Sequence, residues 1–269
     1  MNSNLKKFTA ITTFDFIKHP FAIDMVNSFD VNWPENIELI IFLENYDLLP
    51  KQNISKKLVI LDYHKEIREY KKFCEKFKHK EKYTDDFRLN AFRFAYKVYA
   101  IKKAMDSQDS DYFIWLDSDI KTHKKIPLSF LESLTSENCY LSYLGRTHIK
   151  NKFIKYSECG FLIFNTNHPI HSTFWELMME MYNGGKLFYE KEWHDSYIFD
   201  QVRKKLEKER QVSNFNICDL GLININYEHD EHVFVLSVLG EYMDHKKGDR
   251  KGVKWSPELI KRIKFEKDK

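Results

Sequence analysis

Glycine and proline are scarce in this chain, at 8 and 6 of 269 residues. That scarcity excludes a collagen-like or low-complexity chain. Only four cysteines occur, Cys74, Cys139, Cys159 and Cys218, and no two form a C-x-x-C pair. Their spacing excludes a thiolate zinc site, and they read as reduced thiols of a cytoplasmic protein. Long hydrophobic runs are missing. Leu39 to Leu43, Tyr112 to Leu116 and Val233 to Leu236 have strand length, far short of the ~20 residues that cross a bilayer. Met1 to Phe16 has no apolar leader core, so no signal peptide is expected. No internal repeat and no Pro/Gly/Ser-rich linker interrupts the chain, which predicts one domain over residues 1–269. Nor is there charge of one sign. Lys+Arg total 43 against 40 Asp+Glu, a net of +3, which argues against a nucleic-acid partner.

Aromatic residues are abundant: 22 Phe, 15 Tyr and 5 Trp. A chain with that much apolar surface does not stay solvated. The pattern alternates strands and helices. Strands are predicted at Phe8 to Thr13, Ile37 to Leu43, Lys57 to Leu61 and Tyr112 to Leu116, with a further strand at Val233 to Leu236. Helices are predicted at Phe21 to Phe29, Ile67 to Phe77, Arg88 to Met105 and Ser196 to Lys208. Such alternation predicts a doubly wound α/β fold, whose ligands sit beyond the carboxyl ends of the strands.

The strand Tyr112 to Leu116 runs straight into Asp117-Ser118-Asp119. Residues two apart on a strand share a side, so the two carboxylates are expected to converge. Two hard oxygen ligands there suit Mg²⁺ or Mn²⁺ held against a diphosphate. Nineteen Asp residues make a chance D-x-D unsurprising. Asp109-Ser110-Asp111 is a second one, read as a loop because no strand leads into it.

A rarer pattern lies downstream, His245-x-x-Gly248-x-x-Lys251. A neutral imidazole can complete a metal site begun by two carboxylates. Gly248 lets the backbone approach a phosphate, and Lys251 can meet its charge. Arg93 and Lys97, one helical turn apart, share a face and repel unless an anion lies near. The alternative for each is a solvated basic surface, and it weighs as much as the anion reading for Arg93 and Lys97 but less for the His245 to Lys251 pattern. His229-Asp230-Glu231-His232 lacks a spaced third ligand and reads as a polar loop. Gly145 to Lys155 reads as a flap over the site.

In this order the motifs resemble the GT-A nucleotide-sugar glycosyltransferases, and most closely glycosyltransferase family 8 and its relatives. Ala91 to Phe94 is similar to that family's aromatic-x-Arg helix. Leu116 to Ile120 is similar to its L-D-x-D metal motif, Glu158 to Asn165 to its N-A-G-strand-N element, and Glu192 to Asp195 to its D-Q-D cluster. His245 to Lys251 matches its H-x-x-G-x-x-K. Glu158 stands where the family has Asn, and His194 where it has Gln. The resemblance spans about Thr9 to Lys251.

The resemblance implies a GT-A, Rossmann-like fold with a mixed sheet flanked by helices. It also implies transfer of a sugar from a nucleotide sugar, UDP-linked, to a saccharide or glycoconjugate acceptor. Asp117, Asp119 and His245 would hold the Mn²⁺ or Mg²⁺, and Gly248 and Lys251 the diphosphate, beside Asp117. Arg93 and Lys97 would lie near the donor, and Thr12, Thr13 and Phe14 would flank the nucleoside. Glu158 and Asp195 would face the sugars as the catalytic carboxylates, with the anomeric configuration retained. If the reaction inverts instead, either is the natural general base. Asp is also a good N-cap, so Asp195 has a structural reading too. Trp193 beside it is a possible sugar platform.

Two other readings stay open: a sugar nucleotidyltransferase of related fold, and a non-catalytic module binding glycans or polyanions. Against the first, Thr12 to Pro20 has no glycine for a phosphate loop. From Lys246 onward the net charge is +6, leaving −3 for the rest. Residues from about 252 to 269 therefore read as a basic tail. It reads first as a solvated tail; Leu259, Ile260 and Ile263 also give it an amphipathic stretch able to make a weak peripheral membrane contact.

Overall fold

The structure, a computed structural model, describes residues 6–48, 55–81, 86–146, 156–223 and 232–268. In chain order its strands are β1 (Phe8–Phe14), β2 (Glu38–Leu43), β3 (Leu58–Asp62), β4 (Tyr112–Leu116), β5 (Ile120–Thr122), β6 (Leu141–Leu144), β7 (Glu158–Asn165), β8 (Phe215–Asn216) and β9 (Met243–His245). Its helices are α1 (Ala22–Asn32), α2 (Tyr63–Glu66), α3 (Arg68–Phe77), α4 (Ala91–Ser107), α5 (Leu128–Ser133), α6 (His171–Tyr182), α7 (Asp195–Arg210), α8 (Val233–Leu236) and α9 (Pro257–Lys267).

Seven strands form one mixed sheet in the order β3-β2-β1-β4-β7-β6-β8, and β5 and β9 form a separate pair. β1, β2, β3 and β4 are parallel, while β7 is antiparallel to β4. β1 lies between β2 and β4, so the chain reverses its direction of travel there, and the crevice beyond such a switch is where α/β sheets bind ligands. The antiparallel β7 has a second consequence. Its first residues, not its last, reach the crevice.

Alternation along the strands feeds a core on each face of the sheet. Phe113 and Trp115 join Val98, Phe174 and Phe199 on one face, under α4, α6 and α7. Tyr112, Ile114 and Leu116 join Phe29, Leu131 and Leu259 on the other, under α1, α5 and α9. In β7 the alternation slips at Gly160: Cys159 and Leu162 belong to the first core and Phe161 to the second.

Two expectations are corrected. Val233 to Leu236 is the short helix α8, not a strand. Val233, Phe234 and Val235 are all buried; in so short a run, three-sided burial is satisfied by a turn of helix laid on the sheet, and tertiary packing overrides β-propensity. The N-cap of α7 is His194, whose Nδ1 accepts from Tyr197 N at 3.4 Å; Asp195 is the first helical residue. Its carboxylate is thereby free to point elsewhere.

After residue 252 the chain turns into α9, with Pro257 at its start and Ser256 Oγ accepting from Leu259 N. Leu259 is in the core, and Ile260 is exposed. Among the described residues, no helix is long and apolar enough to cross a membrane.

Candidate active site

The carboxyl ends of β1 and β4 open into a cavity of about 920 Å³, a size suited to a small-molecule ligand. Asp117 and Asp119 stand at its floor. The strand ends at Leu116, and Ile120 N donates to Asp117 O at 3.0 Å. A turn, rather than continued strand alternation, therefore brings the two carboxylates together. His245 arrives from far along the chain because β5 pairs with β9, register Ile120 to His245. Lys246 N donates to Asp119 O at 3.0 Å and fixes that approach. The result is a triad whose ligand atoms lie within 4.8 Å of one another. His245 Nε2 is 2.9 Å from Asp119 Oδ1 and 3.7 Å from Asp117 Oδ2. Two carboxylates and one imidazole form a donor set that fits Mn²⁺ or Mg²⁺. Burial pushes the Asp119 carboxyl up, but His245 and Lys251 outweigh it and hold it well below the usual carboxylate range.

Lys251 Nζ lies 3.1 Å from Asp119 Oδ2 and over the Phe21 ring. Gly248 has φ 57°, and a side chain there would meet open space. The glycine is needed for that left-handed backbone, and it leaves room in front of the turn. Gly248 and Lys251 both line the cavity.

Lys97 is buried, unlike a solvated surface lysine. Its ammonium binds Asp195 Oδ2 at 2.8 Å, Asp117 Oδ1 at 3.2 Å and the Cys159 carbonyl. It also sits over the Trp115 ring, whose Nε1 donates to Asp117 Oδ1 at 2.6 Å. Burial works against its charge, but Asp117 and Asp195 outweigh burial and hold Lys97 protonated well above the usual lysine range. One cation thus ties Asp117 to Asp195. Arg93, one turn earlier, is exposed at the cavity, its guanidinium 5.8 Å from the Phe94 ring centre.

Glu158 opens β7 and is 3% exposed. Its Oε2 binds Arg146 at 3.0 Å and Lys247, and its Oε1 accepts from Gly160 N at 3.1 Å. Burial raises its pKa, but Lys247, His245 and Arg146 outweigh burial and hold it well below the usual range. Gly160 allows the His245 ring to lie against the strand. A Cβ there would fall 2.3 Å from His245 Cε1.

Of the three β1 residues, Thr13 and Phe14 line the cavity, and Thr13 Oγ1 donates to Phe42 O at 2.7 Å. Thr12 is fully buried and does not line it. Trp193 is buried against Phe188 with Nε1 donating to Glu190 O, so its ring offers no face to the cavity. Residues 147–155 of the expected flap, and 229–231 of the polar loop, lie outside the described residues.

Sequence reasoning missed several lining residues. Arg146 and Lys247 carry no local pattern, because their partner Glu158 is remote in sequence. His232, read as part of a polar loop, is buried in the cavity wall beside His245, ring centres 6.4 Å apart. Burial, then His245, push its imidazole down to about 4. Asp15 was legible in principle as the first polar residue after β1. It accepts from Ile17 N, Lys18 N and Asn45 Nδ2.

No family model matches the chain, and no curated protein matches it in sequence. Solved structures do resemble it. An active-site mutant of LgtC superposes with a TM-score of 0.53 at 12% identity, covering 89% of this chain and 87% of that one. The apo form of mouse xyloside xylosyltransferase 1 gives 0.49 at 11% identity, covering 78% and 85%. The mixed sheet, with the acidic pair at the end of β4 and helices on both faces, is the GT-A glycosyltransferase fold.

Proposed function

We propose that the chain is a metal-dependent glycosyltransferase, related to glycosyltransferase family 8, that moves a sugar from a UDP-linked donor to a saccharide acceptor. The observation that carries this is the convergence of Asp117, Asp119 and His245 on the floor of the crevice. It stands beside a left-handed glycine turn and the ammonium of Lys251.

The chemistry follows from charge. Glycosyl transfer expels a nucleoside diphosphate, and its barrier falls when negative charge growing on the leaving oxygen is neutralised. Asp117, Asp119 and His245 would hold a divalent ion, which would supply Lewis-acid stabilisation of that charge. Lys251 adds a fixed cation, and the backbone at Gly248 gives close access to phosphate. Thr13 and Phe14 flank the nucleoside. Asp195 supports positive charge at the anomeric carbon. Its Oδ2 already accepts from Lys97, so its other oxygen serves the donor sugar. That arrangement suits retention of configuration, which the anomeric proton coupling of the product reports. Glu158 stands behind His245 and acts on the metal site rather than on the sugar.

Titration calorimetry with UDP tests the reading. Wild-type protein binds UDP with Mn²⁺ and not with a chelator, and Asp119→Ala abolishes the Mn²⁺-dependent part. UDP binding indifferent to Mn²⁺ and to Asp119 overturns it.

A further inference from the structure

We propose that Phe87, Phe94 and Tyr156 form an acceptor subsite, on which a pyranose ring of the acceptor saccharide stacks beside Asp195. This rests on the glycosyltransferase reading above.

Contacts order the cavity. The triad leads through Asp117 to Lys97, and Lys97 leads to Asp195. Beyond Asp195 comes an aromatic wall centred on His194. Its ring lies 5.8 Å from Phe87, 5.9 Å from Phe94 and 4.5 Å from Tyr156, centre to centre, and Phe87 lies 6.3 Å from Phe94. All four residues line the cavity. His194 is fixed. Its Nδ1 caps α7, and its Nε2 is 2.8 Å from Glu192 Oε2. A buried, doubly bonded imidazole makes a rigid backing, which is what a binding platform needs.

Phe87 differs from the other aromatic residues around it. It is 49% exposed, although an apolar ring of that size gains by burial. Trp193, the tryptophan nearest Asp195 in sequence, has its ring in the core. An exposed ring in a concave site, next to a fixed carboxylate, suits a ligand with one apolar face and polar edges. A pyranose has both: a face of C–H groups, polarised to meet a ring quadrupole, and an edge of hydroxyls. Arg93, exposed beside Phe94, offers a planar fork of donors to those hydroxyls.

Position selects the acceptor rather than the nucleobase. The diphosphate is drawn to the triad, Gly248 and Lys251, and Lys251 lies over Phe21 in the turn that follows β1, which carries Thr13 and Phe14. The aromatic wall is beyond Asp195, where the second sugar must stand for transfer.

The experiment uses full-length protein loaded with Mn²⁺ and UDP, applied to an array of saccharides. Phe87→Ala, Phe87→Leu and Phe87→Trp are compared with wild type, and a melting curve confirms that each folds. Wild type is expected to retain saccharides on the array. Phe87→Ala and Phe87→Leu should weaken the retained ones at least tenfold, and Phe87→Trp should restore them. UDP–Mn²⁺ affinity should stay within twofold throughout. Retention unchanged in Phe87→Ala, or no saccharide retained by wild type, overturns the subsite. UDP affinity lost in Phe87→Ala also overturns it and assigns the wall to the nucleobase. Absence of Mn²⁺-dependent UDP binding in wild type is a separate result and strikes the glycosyltransferase reading itself.

Discussion

Oε1 of Glu158 lies 3.5 Å from Nδ1 of His245, while the opposite nitrogen of the same ring faces Asp119 at 2.9 Å. Nδ1 of His245 makes no hydrogen bond in the structure, so Glu158 is the carboxylate placed to orient the ring once the opposite nitrogen holds a metal, and such partners change metal affinity by roughly 10–100-fold when removed. Glu158→Gln keeps the shape but replaces the acceptor oxygens with a mixed amide. We expect it to weaken Mn²⁺ binding in the presence of UDP about tenfold, read by calorimetry, with UDP binding in chelator unchanged. Wild-type Mn²⁺ affinity in Glu158→Gln would show that the imidazole needs no such support.

The same carboxylate sets a pH dependence. Asp119 and Glu158 are both held below the ordinary carboxylate range. A group whose folded pKa is depressed contributes stability above its unfolded pKa, about 3.9 for Asp and 4.3 for Glu. That stability is lost as pH falls through the folded value. Metal-free wild-type protein should therefore lose melting temperature progressively below about pH 4. Glu158→Gln starts from a lower value, because Arg146 and Lys247 lose their partner, and should fall less steeply over the same range. Parallel curves would mean that Glu158 does not contribute to the slope.

Lys97 is the central cation of the floor. Lys97→Met preserves the length of the stem but leaves Asp117 and Asp195 facing one another without it. Breaking a buried ion pair by removing one partner costs about 3–5 kcal/mol. Denaturant unfolding should show a loss of that order. Lys97→Arg should recover less than half, because the guanidinium does not fit between two carboxylates and a carbonyl placed for an ammonium.

How much of this was legible depends on the distance over which each contact acts. The acidic pair was legible because five apolar residues precede it and fix where the strand ends. His245 was legible only as a spacing with Gly248 and Lys251. Its placement depends on a three-residue pairing between β5 and β9, too short to announce itself as two strands. Val233 to Leu236 misled because a four-residue apolar run has no period with which to tell helix from strand. Lys97 looked like a partner for an anion, and it is one, but the anions are Asp117 and Asp195. The ion pairs of Glu158 with Arg146 and Lys247 join residues 12 and 89 positions apart, which no local pattern records.

Gly160 was matched by motif, and the structure adds a reason. Gly160→Ala would place a methyl 2.3 Å from His245 Cε1 and 2.7 Å from Nδ1. Gly160 O accepts from Asp117 N at 2.9 Å, so the strand is held on that side and the buried His245 ring is what must turn away. Overpacking of this kind costs about 1–3 kcal/mol, and here it falls on His245, the proposed metal ligand. Mn²⁺ affinity should drop by at least tenfold, more than in Glu158→Gln, while the far-ultraviolet circular dichroism stays that of the wild type.

The basic C-terminus gives the last prediction. Arg262 belongs to the charge that suggested a tail, yet it is buried, with Nη1 donating to Val235 O at 2.7 Å and to Ser237 O. Those carbonyls end α8 and begin the turn that leads to β9 and His245. Removing a charged donor leaves buried acceptors unsatisfied, at about 1–3 kcal/mol. Arg262→Met should destabilise by that amount in denaturant unfolding, whereas Lys264→Gln, an exposed charge on the same helix, should change stability by less than about 0.5 kcal/mol. Equal effects from the two would return α9 to the status of a solvated tail. A selective loss in Arg262→Met makes it a brace for the segment that carries His245.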